Sequence, residues 1–292
     1  MKLIPTLTAV LLAGISLRAA ESVQVEIAFS ERKYVPGENV KAKIVIVNFS
    51  ARPIHTGEDP RWLTLIVKSE SGAEIIERKP FTLREPFTVP QGKQVSIPVD
   101  LGEFYAFHQT GVYSIQPVVR WGLGERDYQP GPPKKFDVVQ PAAIREQPFG
   151  VEVGPRRERR TRVYTVQRLT RPPTHVFTRV SDEESGVILG LVSMGEIVSF
   201  APTVDMQLNR VNYIHVLHQC GAREFRHHVI SPEGELIARE TYQAEPGRRP
   251  FLNENEENRI HVSGGTSKPR PDDIPLLNVP APRLPGDGPS GQ

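Results

Sequence analysis

The chain has 292 residues, 38% hydrophobic and 24% charged, with a net charge of +2 and a single cysteine. This is a globular composition, long enough for two domains. The near-zero charge gives no reason to expect nucleic acid or an anionic membrane as partner, and one cysteine excludes a disulfide within the chain. The 28 prolines and 23 glycines point to strands, turns and tails, because proline lacks an amide donor and breaks helices and central strands.

Residues 1–20 read as a signal peptide. Lys2 supplies the positive start, Leu3 to Leu17 carries no charge, and Arg18-Ala19-Ala20 precedes the polar Glu21. That order describes a secretory leader, and the apolar run is shorter than the roughly 20 residues of a membrane span. A secreted or periplasmic protein is expected, with no integral membrane span once the leader is removed. Because Arg18 or Leu17 falls where a small residue is preferred before the cut, a membrane tether formed by an uncleaved leader is the alternative.

Residues 21–140 alternate apolar and polar positions, as half-buried strands do. Val23, Val25, Ile27 and Phe29 form one face; Val40, Ala42, Ile44 and Ile46 another; Leu63, Leu65 and Val67, then Val95, Ile97 and Val99, then Tyr113, Ile115 and Val119 follow, and Lys134 to Val139 ends the series. Val35-Pro36-Gly37-Glu38 has the residues a type II turn prefers, and Ser71-Gly72 and Pro90-Gln91-Gly92 punctuate in the same way. Short strands at this spacing predict an immunoglobulin-like β-sandwich. Asn48-Phe49-Ser50 matches a glycosylation acceptor, a weak pattern.

Two stretches carry a resemblance. Tyr34-Val-Pro-Gly-Glu-Asn-Val40 running into Ile44-Val-Ile-Val-Asn48 resembles the first hairpin of many extracellular sandwich domains. Val95-Ser-Ile-Pro-Val-Asp-Leu-Gly-Glu-Phe-Tyr-Ala-Phe-His-Gln-Thr-Gly-Val-Tyr-Ser-Ile115 resembles the strand, short helix, Gly-x-Tyr and strand passage in the non-catalytic β-sandwich region of deuterolysin-type secreted peptidases. The chain has no His-Glu-x-x-His zinc helix, so the resemblance implies a fold and an extracellular setting, without peptidase activity. It also gives Tyr113 a tyrosine-corner role, its hydroxyl tied to the backbone before its strand.

Residues 141–160 are rich in proline, glycine and charge and read as a linker. They include the basic run Pro155-Arg-Arg-Glu-Arg-Arg160, read as a solvated hinge in preference to a site for an anionic glycan, phosphate or nucleic acid. Residues 161–263 show further strands: 163–169, 175–181, 187–192, 197–200, 212–219, 224–230, 235–242 and 260–262. The turns are Asp182–Gly186, Gly221-Ala222 and Ser231–Gly234. A second antiparallel β-sandwich or barrel is expected, so the fold class is all-β with two successive antiparallel domains.

Histidines are the chemical feature of this half: His175, His215, His218, His227, His228 and His261. A two-residue loop at Gly221-Ala222 pairs Cys220 with Arg223, His218 with Phe225 and His215 with His228. Directly opposed residues have Cβ atoms about 4.5–5.5 Å apart, so His215 and His228 are the candidate metal ligands, given a third donor. His218 points to the other face. Cys220 reads as a buried, inert thiol.

From Gly264 to Gln292 the chain is dense in proline and glycine and is expected to be a disordered tail. It holds no phosphate-binding loop, nucleophile elbow or dinucleotide fingerprint, and no cofactor is predicted. Two functions stay open. One is a non-enzymatic binding or structural protein that contacts a protein partner at the cell envelope or outside the cell. The other is a metal-dependent or hydrolytic enzyme centred on the histidines.

Overall fold

The computed structural model describes residues 23–56, 59, 61–82, 87–121, 128–198, 204–256 and 259–276. The predicted leader and residues 277–292 of the predicted tail lie outside the described residues. The described chain is all-β, with one 3-10 turn and no α-helix, and every ladder but one is antiparallel. No helix among the described residues is long and apolar enough to cross a membrane.

The first half contains β1 (Val23–Phe29), β2 (Lys33–Tyr34), β3 (Lys41–Asn48), β4 (Ile54–Thr56), β5 (Leu63–Ser69), β6 (Ile76–Glu77), β7 (Phe87–Val89), β8 (Gln94–Asp100), β9 (Tyr105–Ala106), β10 (Gly111–Arg120), β11 (Tyr128–Pro130) and β12 (Lys134–Val138). One sheet runs β1-β3-β8. The other is built on β10, with β5 on one side, β11 and β12 on the other, and β2 joined to β12 in parallel. Alternation creates the layers: Val25, Ile27, Ala42, Ile44 and Ile46 from the first sheet meet Leu63, Leu65, Ile115, Val119 and Phe136 from the second in one core.

Local chemistry follows the turn residues. Gly37 sits at φ +85° and Glu38 N–H donates to the Val35 carbonyl at 3.0 Å, the conformation a type II turn reserves for glycine. Tyr113 is fully buried, and its hydroxyl donates to the Gln109 carbonyl at 2.8 Å. A 3-10 turn at Leu101–Glu103 separates β8 from β9, and β10 opens on Gly111-Val-Tyr113. Asn48 is fully buried, and its amide donates to the Arg52 and Val89 carbonyls at 2.8 and 2.9 Å. In the folded chain that amide serves the core and offers no glycan acceptor.

The second half contains β13 (Ala142–Val153), β14 (Glu158–Leu169), β15 (His175–Asp182), β16 (Ile188–Glu196), β17 (Val204–Leu208), β18 (Ile214–Gln219), β19 (Glu224–Ile230), β20 (Leu236–Ala244), β21 (Phe251–Glu254), β22 (Ile260–Ser263) and β23 (Gly265–Ser267). Sheet β13-β14-β15-β16 faces sheet β17-β18-β19-β20-β23 across a core of Tyr164, Val166, Val176, Val180 and Met194 against Met206, Ile214, Val216 and Ile230. The β21–β22 ribbon covers the far side of the second sheet, where Leu252 and Ile260 pack on Leu217, Phe225 and Ala244.

Three expectations are corrected. Most of the predicted linker, 141–160, is structured: β13 and the start of β14 form a long hairpin with only Gly154–Arg157 as its turn. Pro148 is compatible with this because β13 is an edge strand, where proline costs no ladder bond on its outer side. The predicted disordered tail is ordered as far as Leu276. β23 pairs with Tyr242–Ala244, Lys268 N–H donates to Thr241, and Ile274 bridges to Arg239. The tail needs no core of its own, because it completes the edge of β20. The expected strand at 197–200 is also absent at Ile197 and Val198, while 199 and 200 lie outside the described residues.

The halves meet at Arg171. Its guanidinium donates to the Lys33 carbonyl and to Glu38 Oε1 at 3.0 Å, beneath a small apolar cluster of Val35, Leu169 and Phe177.

Candidate functional site

The histidine hairpin is built one residue out of the expected register. His215 opposes Val229, Val216 opposes His228, and His218 opposes Arg226. A two-residue hairpin of type I′ requires positive φ at both central residues, which Ala222 resists. Neither Gly221 nor Ala222 adopts it. The loop is wider, with the Cys220 and Gly221 N–H groups both donating to the Glu224 carbonyl at 2.9 and 3.2 Å. A one-residue slip exchanges the faces of every side chain it reaches. His215 and His228 therefore stand on opposite faces of the sheet and cannot share an ion. No group of three His, Cys, Asp or Glu side chains among the described residues is arranged to hold a metal.

The slip instead makes two diagonal histidine pairs. On the face under the β21–β22 ribbon, His215 and His227 stack with centroids 5.2 Å apart, and His215 Nδ1 lies 3.0 Å from His227 Nε2. His227 Nδ1 lies 3.5 Å from Glu240 Oε2, which also accepts the Tyr242 hydroxyl at 2.9 Å. The His227 contact, with Tyr242 assisting, holds the Glu240 carboxyl below its ordinary range. An ionised Glu240 puts the His227 proton on Nδ1, so His227 Nε2 accepts and His215 Nδ1 donates. Burial pushes the His215 pKa down to about 3, with the neighbouring His227 adding to it.

On the opposite face, toward the sandwich core, His218 and His228 stack with centroids 5.4 Å apart. Both are fully buried, and none of their four ring nitrogens makes a hydrogen bond. Burial lowers His218 to about 4, although the Glu196 backbone beside it favours the charged form. Burial, then the His218 ring, drives His228 well below its ordinary value. Cys220 is half-buried beside Glu224, and burial raises its thiol to about 12, a protonated and unreactive state. His175 accompanies Arg171 at the junction, and His261 lies on β22, so neither joins the hairpin pairs.

The basic run occupies a different place. Residues 154–161 are all exposed, at the tip of the β13–β14 hairpin. Arg162 donates to the Pro232 carbonyl in the facing sheet at 2.8 Å, and beyond it a cavity of about 580 Å³ opens, lined by Val153, Arg156, Arg160, Asp182, Val187 and Leu189 among others. Arg160 lies 3.7 Å from Asp182 and 4.0 Å from Glu158, too long for hydrogen bonds. Asp182 accepts from the Ser185 backbone and hydroxyl, which lower its pKa. Val187 and Leu189 are 55% and 39% exposed. A register shift between Val180 and Ser181 leaves Leu189 out of the ladder, as a bulge that re-aims a side chain does. The run was legible in the sequence, whereas its partnership with Val187 and Leu189 depends on β15 pairing with β14 and β16 with β15.

No protein-family model and no curated protein sequence matches the chain. Among solved structures it is similar to the sporulation control protein Spo0M from Bacillus subtilis, at 9% identity and a TM-score of 0.28 over 60% of this chain and 89% of that one, a likeness too slight to carry an argument.

Proposed function

We propose that the chain is a non-enzymatic binding protein of the periplasm or cell exterior that engages a protein partner through the arginine-lined end of its second half. The observation that carries this reading is the cavity at the β13–β14 tip, where exposed Val187 and Leu189 lie beside Arg156 and Arg160. Exposed apolar groups rimmed by charge are characteristic of interaction surfaces. The export pattern of residues 1–20 supports the location. The two-sheet core and the bond from Tyr113 to Gln109 support kinship of the first half with immunoglobulin-like sandwiches of secreted proteins.

A hydrolytic enzyme is the second reading, and the Tyr242–Glu240–His227–His215 chain is what favours it. His215 and His227 are only 3% and 2% exposed, however, and a general base must come within hydrogen-bond reach of its substrate. The buried rings therefore suit packing better than turnover. The binding reading is tested by placing a photo-crosslinking residue at Val187 in the full chain and irradiating it with its native envelope fraction. A discrete adduct, absent when the same residue replaces solvent-facing Lys43, is expected. Identical labelling from both positions would count against the reading.

A further inference from the structure

Resting on that binding reading, we infer that the cavity at the β13–β14 tip takes an acidic peptide segment whose carboxylates engage Arg156 and Arg160 and whose interleaved apolar side chains cover Val187 and Leu189. The hairpin tip from Gly154 to Arg162 holds five arginines against one glutamate. Arg162 is committed to the Pro232 carbonyl and to Glu233 at 3.2 Å. The others are not held in this way: Arg157 reaches Glu152 only at 3.8 Å, and Arg160 has its carboxylates at 3.7 and 4.0 Å. A guanidinium offers five donors in a planar fork, and a carboxylate that meets it two-pronged makes a shorter, stronger contact than these.

The apolar members decide which class of anion fits. Val153, Val187 and Leu189 line the same cavity as the arginines, and the bulge opposite Val180 and Ser181 frees Leu189 from the ladder. A nucleic-acid backbone or a sulfated glycan satisfies the charges but has no aliphatic groups to lay on these side chains. A peptide that alternates carboxylates with aliphatic residues satisfies both.

Fluorescence anisotropy of the full chain with a labelled Glu-Leu repeat peptide tests this. A Lys-Leu repeat, a sulfated oligosaccharide and a single-stranded oligonucleotide serve as comparisons. The Glu-Leu peptide is expected to bind best and to weaken with added salt. Joint Arg156→Glu and Arg160→Glu should reduce its affinity at least about tenfold. Leu189→Asp should weaken the peptide without touching either arginine. Both changes are at exposed positions, and an unchanged melting temperature confirms that each variant is folded. Equal peptide binding by the charge-reversed variant overturns the inference, as does tighter binding of the glycan or oligonucleotide, or self-association through this face in sedimentation. If crosslinking at Val187 traps a protein while the acidic peptide fails to bind, the inference falls and the binding reading stands.

Discussion

His218 and His228 set the strongest constraint at the level of single residues. The four buried ring nitrogens form no well-aligned hydrogen bond within the chain, with only the Glu196 backbone beside His218, and a desolvated polar atom left in this way is costly. Protonating either ring places a cation in the core with Arg226 and Arg239 nearby. The sign follows from comparing folded and unfolded chains. The unfolded histidines take up protons near pH 6.5, whereas folded His218 does so near 4 and His215 near 3. The unfolded state therefore binds more protons below pH 6.5. Stability is full above that value and falls as the pH drops toward 4, by about 1.4 kcal/mol per pH unit for each such group. Melting temperature measured across this window should be flat above pH 7 and fall steeply below 6.5. Replacing the pair by His218→Leu and His228→Leu should make that fall shallower, leaving the share of His215, at little cost near neutrality, since apolar groups of similar size in place of buried polar ones are nearly neutral. Parallel curves for the two proteins would place the acid sensitivity elsewhere.

Among the elements, the tail and the β13–β14 hairpin show how composition misleads when a segment is judged alone. Residues 264–276 bury little of their own surface, yet Asp273 accepts from Thr241 N–H at 3.0 Å, the Thr241 hydroxyl at 2.9 Å and Arg270 N–H at 2.9 Å. Asp272 lies between Arg226 and Arg239. These contacts cap the edge of β20, which would otherwise present unpaired backbone groups. Asp273→Ala should cost about 2 kcal/mol and raise hydrogen exchange at Thr241 and Lys268. Unchanged exchange there would mean that β23 docks without the carboxylate. The hairpin had a signal that proline and charge obscured: Phe149, Val151 and Val153 alternate, and Phe149 stacks on Tyr164 at 4.3 Å.

Across the whole molecule, Arg171 joins the halves. It is 7% exposed, with Glu38 at 3.0 Å, Glu31 at 3.9 Å and the rings of Tyr34 and Phe177 within 6 Å. Removing one partner of a buried ion pair leaves the other uncompensated. Arg171→Met should therefore destabilise the protein by about 3 kcal/mol and make the segment from Val139 to Ala142 easier to cleave in limited proteolysis. A melting temperature and cleavage pattern equal to those of the unaltered chain would show that the apolar cluster alone holds the junction.

The all-β class, the six longer strands of the first half and the glycine turns were readable from the sequence, and the resemblance pointed to the Tyr113 bond, while the short strands β2, β4, β6, β7, β9 and β11 were not readable. Each readable feature depends on local chemistry: a period of two, a positive φ, or a hydroxyl four residues from its acceptor. The histidine partners were not readable, because one extra residue in the loop at Gly221-Ala222 turned His215 and His228 to opposite faces. Nor was the apolar side of the arginine-lined cavity, since Val187 and Leu189 are distant in sequence from Arg156 and share its cavity only through the pairing of β14, β15 and β16. Local propensity writes the strands, while register and sheet packing decide which side chains meet.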